Sequence, residues 1–194
     1  MLFPPAMRRS FVALALFLAT CAPPHGPVTD IKGAMPDLEF AMTRANDAKA
    51  VNADDYRGRV VVLYFGYTNC PDACPTTLSD MATVLQRLGR EAHDVRVLFV
   101  TVDPARDSLS TLKSYVSAFA PEIDGLRGTD DAIARLARRY RVTYAVTPAT
   151  ADHPYQVMHS DSVFFFDRDG HARYVATSVA DSKLITSDLR TLLQ

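Results

Sequence analysis

The feature that most limits how this chain can fold is a pair of cysteines between an apolar run and a helical pattern. Residues 60–65 are continuously apolar, Cys70 and Cys74 follow, and Pro75 opens a stretch with apolar residues at helical spacing. A continuous apolar run is typical of a strand buried on both faces of a sheet, and proline suits the first position of a helix. We therefore expect both sulfurs where a central strand ends and a helix begins, a place where the helix dipole lowers the pKa of a thiol.

The order of the patterns predicts a thioredoxin-like α/β fold, with a central mixed sheet flanked by helices and an extra N-terminal β-hairpin. The apolar runs at 60–65 and 95–102, joined by a helix that ends at Gly89, form a right-handed βαβ unit. The other expected elements are a hairpin over 38–51, helices beginning after Asp107 or Ser108 and after Thr129 or Asp130, an irregular segment at 143–158, strands at 162–166 and 172–176, and a last helix ending at Leu193.

The first residues are typical of an export signal. Arg8 and Arg9 precede an apolar stretch at 11–19, which is well below the roughly 20 residues that a membrane-spanning helix needs. The sequence Leu-Ala-Thr-Cys at 18–21 resembles a bacterial lipobox, so Cys21 is the expected lipidation site. An unlipidated secretory peptide is the alternative, and the arginine pair also leaves twin-arginine export open.

This interpretation divides the chain into a signal peptide at 1–21, a tether rich in proline and glycine at 22–33, and one domain at 34–194. It places the protein in the bacterial cell envelope, facing the periplasm and anchored to a membrane by lipid. The net charge is -1 and the sequence has no basic run, so nucleic acid is not an expected partner.

The cysteine count favours chemistry over a structural disulfide. The chain has three cysteines, and acylation of Cys21 would leave only Cys70 and Cys74 in the domain. A single bridge between such close neighbours restrains the unfolded chain little. The pair is therefore expected to exchange disulfides, to bind a soft metal, or both.

Copper(I) accepts thiolates readily and commonly takes an imidazole as a further ligand. Of the five histidines, His153 and His159 precede the strand expected at 162–166, whose start should lie near the cysteines. His159 is the favoured ligand because it is nearer to that strand, and the alternative is a histidine bound to Asp161 or to backbone. Asp103 ends the second apolar run and either caps the turn at Pro104, supports the metal ligands or takes part in docking.

Three blocks of sequence, at 65–76, at 101–107, and at 159–160 with 163–167, resemble the Sco/SenC family in the order in which that family carries them. The resemblance covers the chain from about residue 33 onward. It implies a thioredoxin-like fold and a copper site, for Cu(I) or Cu(II), made by Cys70, Cys74 and His159. It also implies delivery of copper to, or reduction of thiols at, the binuclear copper centre of cytochrome c oxidase. The implied partners are the copper-bearing oxidase subunit and a copper donor protein or thiol reductant.

Three other functions stay open from the residues. A thiol-disulfide oxidoreductase without metal fits the cysteine pair, although Asp161 stands where thioredoxins have a proline before the strand. A thiol peroxidase would have threonine three residues before its reactive cysteine, whereas this chain has Tyr67 and Pro71 at those places. A binding module with an inert disulfide is the third alternative.

Overall fold

A computed structural model describes residues 28–194, which form a mixed eight-stranded sheet, a separate two-stranded sheet and four α-helices. The eight-stranded sheet has the order β1-β10-β9-β4-β5-β6-β2-β3. In chain order, the strands are β1 (Val28–Asp30), β2 (Ala41–Arg44), β3 (Ala50–Asn52), β4 (Val60–Gly66), β5 (Val95–Thr101), β6 (Ile123–Arg127), β7 (Tyr144–Thr147), β8 (Gln156–His159), β9 (Val163–Phe166) and β10 (Ala172–Ala176). The helices are α1 (Ala73–Leu88), α2 (Leu109–Ser117), α3 (Asp130–Arg139) and α4 (Ser182–Leu193).

The centre of the large sheet is the βαβ unit predicted from the two apolar runs. Strand β4 is parallel to β5, which is parallel to β6, whereas β9 is antiparallel to β4. Every residue of β4 is buried, which explains why its sequence is apolar on both faces. Helix α1 packs beside α4, and α2 packs against β6. The predicted thioredoxin-like fold is confirmed. The central strand, β4, ends shortly before the cysteine pair.

The helix ends follow local chemistry that the sequence largely revealed. Ser108, Thr129 and Asp181 accept hydrogen bonds from backbone N–H groups in the first turns of α2, α3 and α4. Helix α1 begins two residues before Pro75, and it ends at Gly89, whose φ of 60° lies in the region that glycine tolerates.

The predicted hairpin is present, as β2 and β3, but three other segments differ from expectation. The tether predicted through Gly33 ends earlier, because β1 forms the edge of the large sheet beside β10, with Val28 opposite Ala176. Strand β6 was not expected because Asp124 and Gly125 disfavour strands. The structure accommodates both, since Tyr56 donates to the Asp124 carboxylate and the side chain of Leu112 occupies the space where a Cβ on Gly125 would lie.

The third difference is at 143–158, which is a hairpin of β7 and β8 rather than an irregular segment. Because its side chains are mostly exposed, the sequence of this segment has no hydrophobic period that would predict strands. The signal peptide, Cys21 and the first part of the tether lie outside the described residues. Within 28–194, every helix is too short or too polar to traverse a bilayer.

Candidate metal centre

The fold brings together the two thiols and the imidazole that the sequence pointed to. The ligand atoms of Cys70, Cys74 and His159 all lie within 4.8 Å of one another. His159 Nε2 is 3.3 Å from Cys74 Sγ, and the backbone N–H of Cys74 donates to Cys70 Sγ at 3.3 Å. His153, the other histidine considered, is exposed and does not belong to this group. The arrangement supplies two soft sulfur donors and one imidazole nitrogen at distances that one ion could bridge.

Each cysteine has a different environment because the chain turns between the end of β4 and the start of α1. Cys74 is the second residue of α1 and is fully buried, whereas Cys70 lies in the preceding turn and is half-buried. Burial raises the pKa of the Cys74 thiol well above its usual range. The helix dipole was expected to lower this pKa, but loss of solvent outweighs the dipole at this position. A bound cation would therefore displace a proton from Cys74.

Gly66, the last residue of β4, leaves room for the Cys74 sulfur. A Cβ at this position would lie 2.6 Å from Phe99 Cε2 and 2.7 Å from Cys74 Sγ. We expect Gly66→Ala to lower the free energy of unfolding of the reduced protein by about 1–3 kcal/mol, because overpacking forces buried side chains off their positions. Denaturant unfolding measures this change.

Gly128→Ala is the comparison for that experiment, since its nearest contact is a looser 3.2 Å and lies away from the sulfurs. It should cost less stability than Gly66→Ala. Equal losses in the two variants would show that the close approach at Gly66 has no particular effect.

The imidazole is held by two aromatic rings and by backbone. His159 ends β8, and its side chain is only 4% exposed. The rings of Tyr64 and Tyr67 meet it edge to face, with centroids 6.0 and 5.9 Å away. Its Nδ1 lies 3.1 Å from the carbonyl oxygen of Ser160. Because that carbonyl can only accept, a proton on Nδ1 satisfies this contact and leaves the Nε2 lone pair facing the thiols.

A buried carboxylate fixes the turn that leads to Cys70. Asp107 accepts hydrogen bonds from Thr68 N–H at 3.0 Å, from Thr68 Oγ1 at 2.6 Å and from Thr101 Oγ1 at 2.6 Å. The sequence suggested only a helix cap for Asp107, but Ser108 provides that cap. The one signal that could have found this role is the position of Asp107 inside the family-like block at 101–107, which also holds Asp103. Asp107 joins the Thr68 turn to the end of β5.

Asp103 is also buried, and its contacts reach the hairpin that carries His159. Tyr155 OH donates to Asp103 Oδ1 at 2.8 Å, and Arg106 Nε donates to Asp103 Oδ2. The Asp103 carbonyl also accepts from the N–H groups of Arg106 and Asp107, which closes the turn at Pro104. The backbone of Asp103 thus closes the turn, while its side chain binds Arg106 and Tyr155. No sequence pattern pointed to Tyr155.

A second group of metal-binding residue types, Asp167, Asp169 and His171, lies at the turn between β9 and β10. The Asp167 carboxylate already accepts from the backbone N–H groups of Asp169 and His171 and from the Arg173 side chain. These hydrogen bonds show that the cluster stabilises a hairpin turn. The group of Cys70, Cys74 and His159 is therefore the candidate metal site.

Comparison with known proteins agrees with this geometry. Residues 31–194 match the family model described as SCO1/SenC. A mitochondrial SCO2 homologue from Bos taurus is 38% identical over 138 residues, which are 70% of this chain and 52% of that protein. The chain spans about half the length of the curated relatives that it matches.

Solved structures show the same likeness over the domain. ScoI from Bradyrhizobium japonicum with copper bound has a TM-score of 0.70 and 33% identity, covering 80% of this chain and 98% of that one. A SCO1/SenC family lipoprotein from Bacillus anthracis has a TM-score of 0.68 and 25% identity, covering 81% of this chain and 95% of that one.

Proposed function

This chain belongs to the SCO1/SenC family, and we propose that it is a copper metallochaperone that delivers copper to, or maintains the thiols of, the binuclear copper site of cytochrome c oxidase. The observation that carries the proposal is the approach of His159 Nε2 to 3.3 Å from Cys74 Sγ, with Cys70 in the same group. The expected partners are the copper-bearing oxidase subunit and a copper donor protein or thiol reductant.

The donor set suits copper as cargo. With both thiols ionised and the imidazole neutral, Cu(I) leaves the group with a charge of about −1 and Cu(II) leaves it neutral. Cys74 and His159 are buried, whereas Cys70 is half-buried. An incoming ligand can therefore approach from the Cys70 side before the buried donors release the ion.

A thiol-disulfide role is the second candidate, and it is favoured by the two cysteines being free and close together. Oxidation joins the two sulfurs and releases two protons and two electrons, which an acceptor disulfide on the partner would take up. The same step removes two copper ligands, so copper loading and redox state are coupled. For such a dithiol couple, about 30 mV corresponds to about 1.4 kcal/mol.

We further propose that the protein lies in the cell envelope on the periplasmic side, held to a membrane by lipid on Cys21. The lipobox-like sequence at 18–21 and the lipoprotein from Bacillus anthracis among the solved relatives support this location. Mass spectrometry of the protein extracted from its native membrane tests it, since an unmodified Cys21 would contradict the anchor.

His159→Ala should weaken Cu(I) binding by about a hundredfold or more, because even residues that only support a ligand contribute 10–100-fold to metal affinity. Competition with a Cu(I) chelator measures the affinity, and X-ray absorption counts sulfur and nitrogen ligands. His153→Ala is the matched control, since that histidine is exposed and outside the group, and it should bind as the parent does.

Dithiol reductase activity measured on the same variants separates the two candidate functions. Loss of copper binding in His159→Ala with unchanged reductase activity would show two separable roles. Absence of tight copper binding in the parent protein would overturn the metallochaperone proposal and leave the reductase.

A further inference from the structure

The imidazole is supplied by a hairpin that is almost independent of the main sheet. Within 28–194, β7 and β8 pair only with each other and share no ladder with the eight-stranded sheet. Most of their side chains are exposed, including Met158 at 68%. A lone two-stranded hairpin is marginally stable in water. Two side chains of the hairpin, Tyr144 and Val157, pack against the core. The position of His159 therefore depends on this packing and on the polar contacts that join the hairpin to the domain.

One of these contacts is a three-residue cluster of Asp103, Arg106 and Tyr155. Tyr155 immediately precedes β8, and its hydroxyl donates to the buried Asp103 carboxylate at 2.8 Å. The Arg106 guanidinium pairs with the other oxygen of Asp103 and stacks on the Tyr155 ring, with its carbon 3.8 Å from the ring centroid. A charge-assisted hydrogen bond and a cation–π contact thus attach the N-terminal end of β8 to the loop that carries Asp103 and Arg106.

The cluster is fastened to the part of the chain that positions the cysteines. Arg127 donates to the carbonyl oxygens of Pro104 and Asp107, which fixes the loop that carries Asp103 and Arg106. The Asp107 carboxylate in turn holds Thr68, two residues before Cys70. The loop is therefore a common support for the thiol turn and for the hairpin.

Arg106 also links the cluster to the imidazole itself. Its guanidinium carbon lies 5.9 Å from the centroid of the Tyr67 ring, in addition to its 3.8 Å contact with the Tyr155 ring. The Tyr67 ring in turn meets the edge of His159. Arg106 thus contacts Tyr155, from the hairpin that carries His159, and Tyr67, from the turn that leads to the cysteines. This one side chain joins the segment with the imidazole to the segment with the thiols.

We propose that Asp103, Arg106 and Tyr155 form a latch that keeps His159 over the thiols, and that opening of this latch sets the rate at which the imidazole leaves copper. This inference rests on the proposed function of the site. The three are positioning residues, since their side chains contact the hairpin and the cysteine turn rather than the ion.

Two substitutions of Tyr155 separate the parts of the latch. Tyr155→Phe removes the hydrogen bond to Asp103 and keeps the ring under Arg106, so a chelator should remove Cu(I) about tenfold faster than from the parent. Tyr155→Leu also removes the ring and should speed removal by about a further threefold. Tyr140→Phe is the matched control, because it removes a phenol hydrogen bond of the same 2.8 Å length, to Asp37 O, and should leave the rate unchanged.

A measurement without copper reads the latch directly. Tyr64 and Tyr67 meet His159 edge to face, so their ring currents shift the imidazole proton signals in the nuclear magnetic resonance spectrum. In the reduced, metal-free protein, these shifts should shrink in Tyr155→Leu, shrink less in Tyr155→Phe, and stay unchanged in Tyr140→Phe.

Each outcome decides between the proposals. Rates and shifts that follow the order parent, Tyr155→Phe, Tyr155→Leu support the latch. If copper binds the parent and is weakened in His159→Ala, but both Tyr155 variants behave as the parent, the latch is wrong and the metallochaperone proposal stands. If the parent holds no copper, that proposal fails, and unchanged imidazole shifts in Tyr155→Leu would overturn the latch as well.

Discussion

In Cys74→Ser, copper should no longer raise the free energy of unfolding of the reduced protein. A ligand that binds only the folded state at a thousandfold excess over its dissociation constant stabilises that state by about 4 kcal/mol. Serine offers a hard oxygen in place of a soft sulfur, and Cu(I) discriminates strongly between the two. Unfolding by denaturant or heat, with and without copper under reducing conditions, measures the difference.

The comparison is made within each variant, because replacing the fully buried Cys74 thiol by a hydroxyl also lowers the stability of the metal-free protein. Cys70→Ser provides a second test in a half-buried position, where the metal-free protein should lose less. A full copper-dependent shift in either serine variant would show that its sulfur is not a ligand.

Asp107→Ala should lower the free energy of unfolding by about 3 kcal/mol or more, the largest loss that we expect from one substitution outside the metal centre. Three hydrogen bonds to this carboxylate, from Thr68 N–H, Thr68 Oγ1 and Thr101 Oγ1, would be lost together. Hydrogen bonds to charged groups contribute about 1.5–3 kcal/mol each, and the buried Thr101 hydroxyl would lose its acceptor. Chemical denaturation of the reduced protein measures the loss.

Asp107→Asn separates charge from packing, because the amide keeps the size of the carboxylate and one acceptor oxygen but carries no charge. Its oxygen can accept from Thr68 N–H and Thr101 Oγ1, which share one carboxylate oxygen, so the variant should be less destabilised than Asp107→Ala but less stable than the parent. Full stability in Asp107→Asn would mean that the packing volume, not the charge, supports the Thr68 turn.

The parts of the site that could be predicted from the sequence lie next to buried elements, whose apolar residues form a recognisable pattern. The run at 60–65 had to be a central strand because it is apolar on both faces, and the turn with Cys70 and Cys74 had to follow it. His159 was found by its place before the next buried strand, β9. These residues are close in sequence to strongly patterned elements, so the topology carries them to the same end of the sheet.

The remaining parts depend on contacts between distant and exposed segments. Tyr155 reaches Asp103 across 52 positions, from a hairpin whose mostly exposed side chains give no period to recognise. The pKa of Cys74 was expected to fall because of its place in α1, yet it rises because the side chain faces the core. Position along a helix can be read from the sequence, whereas the depth of a side chain below the surface needs the packed structure.

Strand β1 fixes where the preceding segment leaves the domain. Val28 lies opposite Ala176, Ala176 opposite Val163, and Val163 opposite Tyr64. Val28, where the preceding segment joins the domain, is therefore in the same cross-strand row as Tyr64, whose side chain contacts the metal centre. Val28 lies seven positions after Cys21, and a chain of that length reaches at most about 25 Å. If Cys21 carries the fatty acyl group proposed above, the domain would be held close to the lipid surface, where an acceptor in the same membrane could be reached by lateral diffusion.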